Sequence, residues 1–274
     1  MNYPRILTVQ DISCVGQCSL TVALPILSAC GAESCPLPSA VLSTHTAGFH
    51  NFTFRDLTDD MPAIAAHWQS EGIRFDAIYT GYLGSTRQIG YVRELFANAG
   101  TEACVRIVDP AMADNGRLYP AFDAAFVEDM RSLLPYADYL LPNITEAALL
   151  AGMPYRESYG EDYVRALCEA LCALGAKTVV LTGVSYDAET TGVAVWDGAL
   201  RYYRHEKLSR GCHGTGDVYA SAFTGALLRG HEVLDAARIA ADFTVSCIRF
   251  TSQDESHWYG VKFEPLLGEL MAKL

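Results

Sequence analysis

No apolar run in these 274 residues approaches the roughly 20 consecutive positions that a bilayer crossing needs, because charges interrupt every such stretch. The opening Met1-Asn2-Tyr3-Pro4-Arg5 and the short run after it also lack the long apolar segment and small-residue cleavage site of a signal peptide. No membrane span is expected, and the reading is a cytoplasmic protein. Basic charge is scarce as well. Twenty Lys and Arg stand against 32 Asp and Glu, and a net charge of −12 leaves no basic footprint for nucleic acid or an anionic membrane. An anionic ligand would have to be held by local donors. Cysteine is plentiful at nine, but the number is odd and no Cys-x-x-Cys occurs, which argues against a disulfide framework or a zinc site and for reduced thiols. The sequons at Asn51 and Asn143 are then chance matches. Two phosphate motifs are missing too. There is no Gly-x-x-x-x-Gly-Lys-Ser/Thr, which excludes a simple P-loop reading, and no Gly-x-Gly-x-x-Gly after the first strand, which argues against a nicotinamide dehydrogenase. Linkers, repeats and low-complexity tracts are absent, so residues 1–274 read as a single domain.

Half of the residues are apolar, ample for one continuous core. Short β-branched runs at 5–9, 33–37, 76–79, 105–109, 138–141 and 178–181 alternate with segments such as 85–98, 123–134 and 162–174, whose apolar residues recur every three or four positions. That alternation predicts an α/β fold of three layers, a mostly parallel central sheet flanked by helices. Two alternating stretches at 192–196 and 200–204, joined by Asp197-Gly198, predict a hairpin. Helices are expected at 215–229, 233–249 and 263–272. In such sheets ligands bind beyond the carboxyl ends of the strands, near the point where strand order reverses. The residues there are Gln10 to Ser13, Thr80-Gly81-Tyr82, Asp109-Pro110, Pro142-Asn143 and Thr182-Gly183. Nearly all are polar or glycine.

The run Gly214-Thr215-Gly216-Asp217 leads directly into an apolar helix rich in small residues. Glycines at a helix start let backbone N–H groups converge, and the helix dipole favours an anion there. A phosphate fits that place, and Asp217 beside it could accept the proton of a substrate hydroxyl attacking the γ-phosphorus of ATP. An aspartate at a helix start also complements the dipole with no chemistry at all, so this run alone does not decide the matter.

Taken with Ser43-Thr44-His45-Thr46, Tyr79-Thr80-Gly81-Tyr82, Val108-Asp109-Pro110 with Asp114, and Pro142-Asn143-Ile144-Thr145-Glu146, the run resembles the ribokinase superfamily, and within it the pyridoxal kinase family, especially its bacterial pyridoxamine kinase branch. The match extends over nearly the whole chain, with the loops in the right order. The resemblance implies a ribokinase-like fold and an enzyme that moves the γ-phosphoryl of ATP, with Mg²⁺, onto the 5′-hydroxymethyl of pyridoxal, pyridoxine or pyridoxamine. Asp217 would be the base, and the amides of Gly214, Thr215 and Gly216 would stabilise the transferring phosphoryl. Asn143 and Glu146 would support metal and phosphates from the start of a helix, although Asn-x-x-Glu is also a capping box. Asp109 and Asp114 match acidic residues near the phosphates, with Asp109 and Glu146 as the metal residues. Tyr119, Thr182 and Gly183 match nucleotide contacts, although Thr182 could be an ordinary strand-end hydroxyl and Asp109 plain turn chemistry. Thr46 and Tyr82 match ring contacts, and His45 and His213 are read as packing groups.

The sequence departs from the family at Asp11-Ile12-Ser13-Cys14-Val15-Gly16-Gln17-Cys18-Ser19, where many pyridoxal kinases carry Ser-His-Val and a longer loop. Asp11 or Ser13 could replace the ring contact, and Cys212 is either a lid thiol or a small apolar filler. A homodimer and activation by a monovalent cation such as K⁺ are implied by resemblance alone. The alternatives are a hydroxymethylpyrimidine kinase, which usually has cysteine in place of Asp217, and a vitamer-binding protein without turnover. A sugar kinase fits less well, because its Gly-Gly-rich N-terminal half is missing.

Overall fold

The computed structural model describes residues 3–208 and 211–274. Its strands are β1 (Arg5–Ser13), β2 (Glu33–Leu42), β3 (Phe54–Asp56), β4 (Phe75–Thr80), β5 (Gly100–Val108), β6 (Ala113–Asp114), β7 (Arg117–Leu118), β8 (Tyr139–Leu140), β9 (Thr178–Val184), β10 (Thr190–Trp196) and β11 (Leu200–Glu206). The helices are α1 (Leu20–Ala29), α2 (Met61–Ser70), α3 (Thr86–Asn98), α4 (Ala124–Arg131), α5 (Ile144–Ala151), α6 (Glu161–Ala173), α7 (Thr215–Leu228), α8 (Val233–Thr251) and α9 (Leu267–Met271). Nine strands form one sheet in the order β11-β10-β9-β8-β5-β4-β1-β2-β3, and β6 and β7 pair separately. From β9 through β2 every pairing is parallel, while β3, β10 and β11 join antiparallel at the edges.

The sheet is covered on both faces because its inner strands are apolar on both. In β1, Ile6 packs with Val22, Ile26 and Phe223 on the side of α1, α7, α8 and α9, while Leu7 packs on the opposite side, with α2 to α6. Ala77 and Ile78 of β4, Ile107 and Val108 of β5, and Val180 and Val179 of β9 divide in the same way. A pleated strand sends successive side chains to opposite faces, so a two-sided strand reads as an unbroken apolar run. The chain moves from β1 outward to β2, then crosses to the other side of β1 for β4 and continues to β5, β8 and β9. The reversal therefore lies between β1 and β4, the place beyond the strand ends where such sheets bind ligands.

The predicted elements shift in a few places. β1 continues through Gln10 to Ser13, which the sequence pattern leaves as a loop, because Ile12 and Ser13 pair with Val41 and Leu42 past an irregularity at Gln10. β9 likewise runs through Thr182 and Gly183 to Val184. The helix expected at 123–134 ends at Arg131, and a separate 3-10 turn at Leu134–Tyr136 carries Pro135. The last helix divides similarly, into a turn at Glu264–Leu266 with Pro265 and the short α9. In each case proline, which has no N–H, starts a new turn instead of continuing the old one.

Candidate active site

Gly214 is the N-cap of α7 and adopts a left-handed φ of +81°. A Cβ at this position would lie 2.1 Å from the backbone oxygen of Gln17, so both conformation and space require glycine. The first amides of α7 have no carbonyl of their own helix to bond, which makes this end a donor cradle. Asp217, three residues on, is partly open to solvent yet closely surrounded by protein. Its Oδ2 accepts the backbone N–H of Ser19 at 3.0 Å. That bond fixes the carboxylate and leaves Oδ1 as the oxygen able to take a proton. Burial pushes its pKa up to about 7; the Ser19 amide opposes the shift and the charge of Asp11 adds to it.

A second acidic group lies beyond β5. Asp109 is buried, and its pKa is raised well above the carboxylate range by burial first, then by the charges of Glu146 and Asp217. Asn143 and Glu146 form a full capping box on α5: Asn143 Oδ1 accepts the Glu146 N–H at 3.0 Å, and Glu146 Oε2 accepts the Asn143 N–H at 2.9 Å. Glu146 Oε1 accepts a further N–H from Met112 at 3.1 Å, while Asn143 Nδ2 donates to the Ala113 carbonyl at 2.8 Å. Burial raises the Glu146 pKa even against these bonds. The capping role is thus real, and it holds the glutamate where its charge acts on Asp109.

Among the described residues, none of Asp11, Asp109, Glu146 and Asp217 takes part in an ion pair. Clustered carboxylates with raised pKa either keep their protons or give them up to a cation. No group of three or more His, Cys, Asp or Glu among the described residues is arranged to hold a metal unaided. This donor set suits Mg²⁺, which keeps several waters and takes phosphate oxygens alongside one or two carboxylates.

The region beyond the ends of β1 and β4 carries the other predicted residues. Asp11 is buried and accepts the Ser13 hydroxyl at 2.9 Å; burial raises its pKa. Tyr82 follows β4 and stacks loosely on Phe122, and its phenol is raised by burial and by the nearby Asp11. Thr46 is exposed in the loop after β2. Its neighbour His45 is structural: Nδ1 accepts the Ala47 N–H at 3.1 Å, so Nε2 carries the proton that it donates to the Tyr259 carbonyl at 2.6 Å. His213 is exposed, its ring 5.5 Å from that of His45.

On the nucleotide side, Tyr119 lies among the acidic residues, its phenol raised by burial and by Glu146, Asp114 and Asp109. Asp114 is exposed on β6 and engages Asn115. Thr182 ties β9 to the Pro142 carbonyl through its N–H at 2.9 Å and its hydroxyl at 3.3 Å, an arrangement that positions the loop before Asn143. Gly183 is open, with φ +69°.

The sequence model described as phosphomethylpyrimidine kinase matches residues 24–261. The chain belongs to the phosphomethylpyrimidine/pyridoxal kinase family of the ribokinase superfamily. Within this kinase family, it is 37% identical to a candidate phosphomethylpyrimidine kinase from Bacteroides thetaiotaomicron crystallised with pyridoxal, at a TM-score of 0.92 over 98% of this chain and 96% of that one. It is 33% identical to pyridoxal kinase from Lactobacillus plantarum, at a TM-score of 0.91 over 99% and 98%. It also matches a chloroplastic bifunctional thiamine biosynthetic enzyme of Arabidopsis thaliana, 23% identical over 96% of this chain, and spans about half (51%) of that protein's length. Kinases of both vitamin pathways thus stand among its relatives.

The family motifs supply Tyr82, Asp109, Glu146 and Asp217, and the departing loop supplies Asp11, but two residues beside this candidate site are invisible to the motifs. Ser19 contacts Asp217 through its backbone, which no side-chain motif encodes. Gln17 lies in a left-handed conformation (φ 42°) that glutamine does not advertise. The only sequence signal for either is Gly16, just before a helix.

Proposed function

We propose that the protein is an ATP- and Mg²⁺-dependent kinase of the 5′-hydroxymethyl group of vitamin B6 vitamers. The observation that carries this reading is the Asp217 carboxylate at the start of α7, held on one oxygen by Ser19, with a pKa of about 7. A general base works best with a pKa near the operating pH. The vitamer enters beyond the ends of β1 and β4, with its ring between Tyr82, Thr46 and the Asp11–Ser13 pair and its hydroxymethyl towards Asp217. Oδ1 of Asp217 accepts the hydroxyl proton as the oxygen attacks the γ-phosphorus, and the amides of Gly214, Thr215 and Gly216 receive the developing negative charge. Thr182, Gly183 and Tyr119 border the nucleotide. Asp109 and Glu146 would hold Mg²⁺, which would supply positive charge against the phosphates. Asp114 and Asn143 keep that end of the site in place. Since phosphoryl transfer requires little covalent help, positioning and charge supply most of the rate.

The second reading, hydroxymethylpyrimidine kinase, is favoured by the family description itself. Against it stands the aspartate at 217, where that branch usually carries cysteine. ADP release measured with pyridoxal, pyridoxine, pyridoxamine and hydroxymethylpyrimidine separates the two. A higher kcat/KM for the pyrimidine than for every vitamer overturns the B6 assignment, and vitamer binding without turnover by wild type leaves only a binding protein.

A further inference from the structure

We propose that Gln17 is a positioning residue for Asp217, clamping the loop that presents Ser19 to the base onto the C-terminal segment 257–264; this rests on the kinase reading above. The loop before α1 is unusual backbone. Gly16, Gln17 and Ser19 have φ of 117°, 42° and 56°, and the last two are non-glycine residues in a region that L side chains rarely adopt. Such conformations persist only where the surroundings over-determine them, and they cluster where geometry serves function.

The conformation delivers the Ser19 N–H to the Asp217 carboxylate. Ser19 is the N-cap of α1, yet its side chain makes no cap bond to the helix, while its N–H points at Asp217 Oδ2 at 3.0 Å. A serine in the usual extended N-cap geometry would spend its hydroxyl on α1 itself. Ser19 thus orients the base through its backbone.

Gln17 holds this arrangement from three sides. Its Nε2 donates to Glu264 Oε1 at 3.0 Å, and its Oε1 accepts from His257 Nε2 at 2.9 Å. Its carbonyl lies so close to Gly214 that a Cβ there would meet it at 2.1 Å, and a Cβ at Gly260 would meet its Oε1 at 2.4 Å. Loop, cradle and C-terminal segment therefore meet at one residue, the cradle against its backbone and the C-terminal segment against its side chain. The same segment is tied a second time, through the Tyr259 carbonyl to His45, whose ring covers Gly16. Residues some 240 positions apart in sequence brace the catalytic loop.

Gln17→Met keeps the side-chain length and removes both polar ends. A misplacement of about 1 Å can cost on the order of 10²-fold in rate, so kcat should fall about 10- to 100-fold while KM for ATP and vitamer stays within about twofold. In an Asp217→Asn background the same change should have no further effect, because a residue acting through the base has nothing left to position. Gln17→Glu faces Glu264 with like charge and should also lose kcat, whereas Gln17→Glu with Glu264→Gln restores an acceptor at 17 and a donor at 264 and should recover it. An active wild type with full kcat in Gln17→Met, an equal loss in the Asp217→Asn background, or no recovery in the exchanged pair overturns the clamp alone. Wild type without turnover on any vitamer or on hydroxymethylpyrimidine overturns the kinase reading and the clamp together.

Discussion

At the scale of the residue, Asp217 combines two demands that oppose each other. Burial places the carboxylate beside the phosphate cradle but raises its pKa from 3.8 to about 7. As a base it works only when ionised, so kcat/KM should rise with pH through about 7 and then level off, when measured as ADP release from about pH 5 to about pH 9. Asp217→Asn should lower kcat by about 10²- to 10⁴-fold and abolish that limb. Stability moves in the other direction. Between the unfolded value and about 7 the folded protein keeps a proton that the unfolded chain has released, so this group's contribution falls as pH rises through that window. Asp217→Asn should therefore melt higher than wild type at pH above about 7 and show little difference below about 4. A Tm difference independent of pH would remove burial as the cause of the shift.

At the scale of the element, α5 shows how a structural motif and a functional one coincide. Asn143 caps the helix and Glu146 closes the box, and the same bonds aim the glutamate at Asp109. Asn143→Ala removes a cap worth about 1 kcal/mol, which corresponds to a Tm lower by about 2–4 °C in a chain of this size. If Glu146 also loses its aim, KM for ATP rises in the same variant. A change in Tm without one in KM would reduce Asn143 to a cap. This helix was legible in the sequence because its cap signature and its site signature are the same four residues, Asn143 to Glu146. The sheet was legible for a different reason: strands buried on both faces, such as β4 and β9, read as apolar runs. Where the sequence pattern stops short, long-range pairing decides, as when Leu42 captures Ser13 into β1. Helix α1 escapes notice because Pro25 lies inside it, and the Gln17–Ser19 backbone because left-handed conformation leaves no mark on residue type outside glycine and asparagine.

At the scale of the whole molecule, charge sets the terms on which a nucleotide can bind. The chain carries a net −12, and four carboxylates, Asp11, Asp109, Glu146 and Asp217, gather beyond the carboxyl ends of its parallel strands without an ion-pair partner among the described residues. Free ATP brings more negative charge to this end and should bind weakly. With Mg²⁺ the approach is compensated, and a ligand at about 100 times its Kd adds about 2.7 kcal/mol of stability. Thermal unfolding should therefore show a clear rise in Tm with ATP and Mg²⁺ together, and little with ATP in EDTA or with Mg²⁺ alone. Asp109→Asn should raise the Mg²⁺ concentration at which the shift is half complete, since it removes a carboxylate that the cation would meet beside Glu146 and Asp217. An equal shift with ATP in EDTA would show that the α7 cradle alone holds the phosphates, and that the clustered carboxylates keep their protons instead of giving them up to a cation.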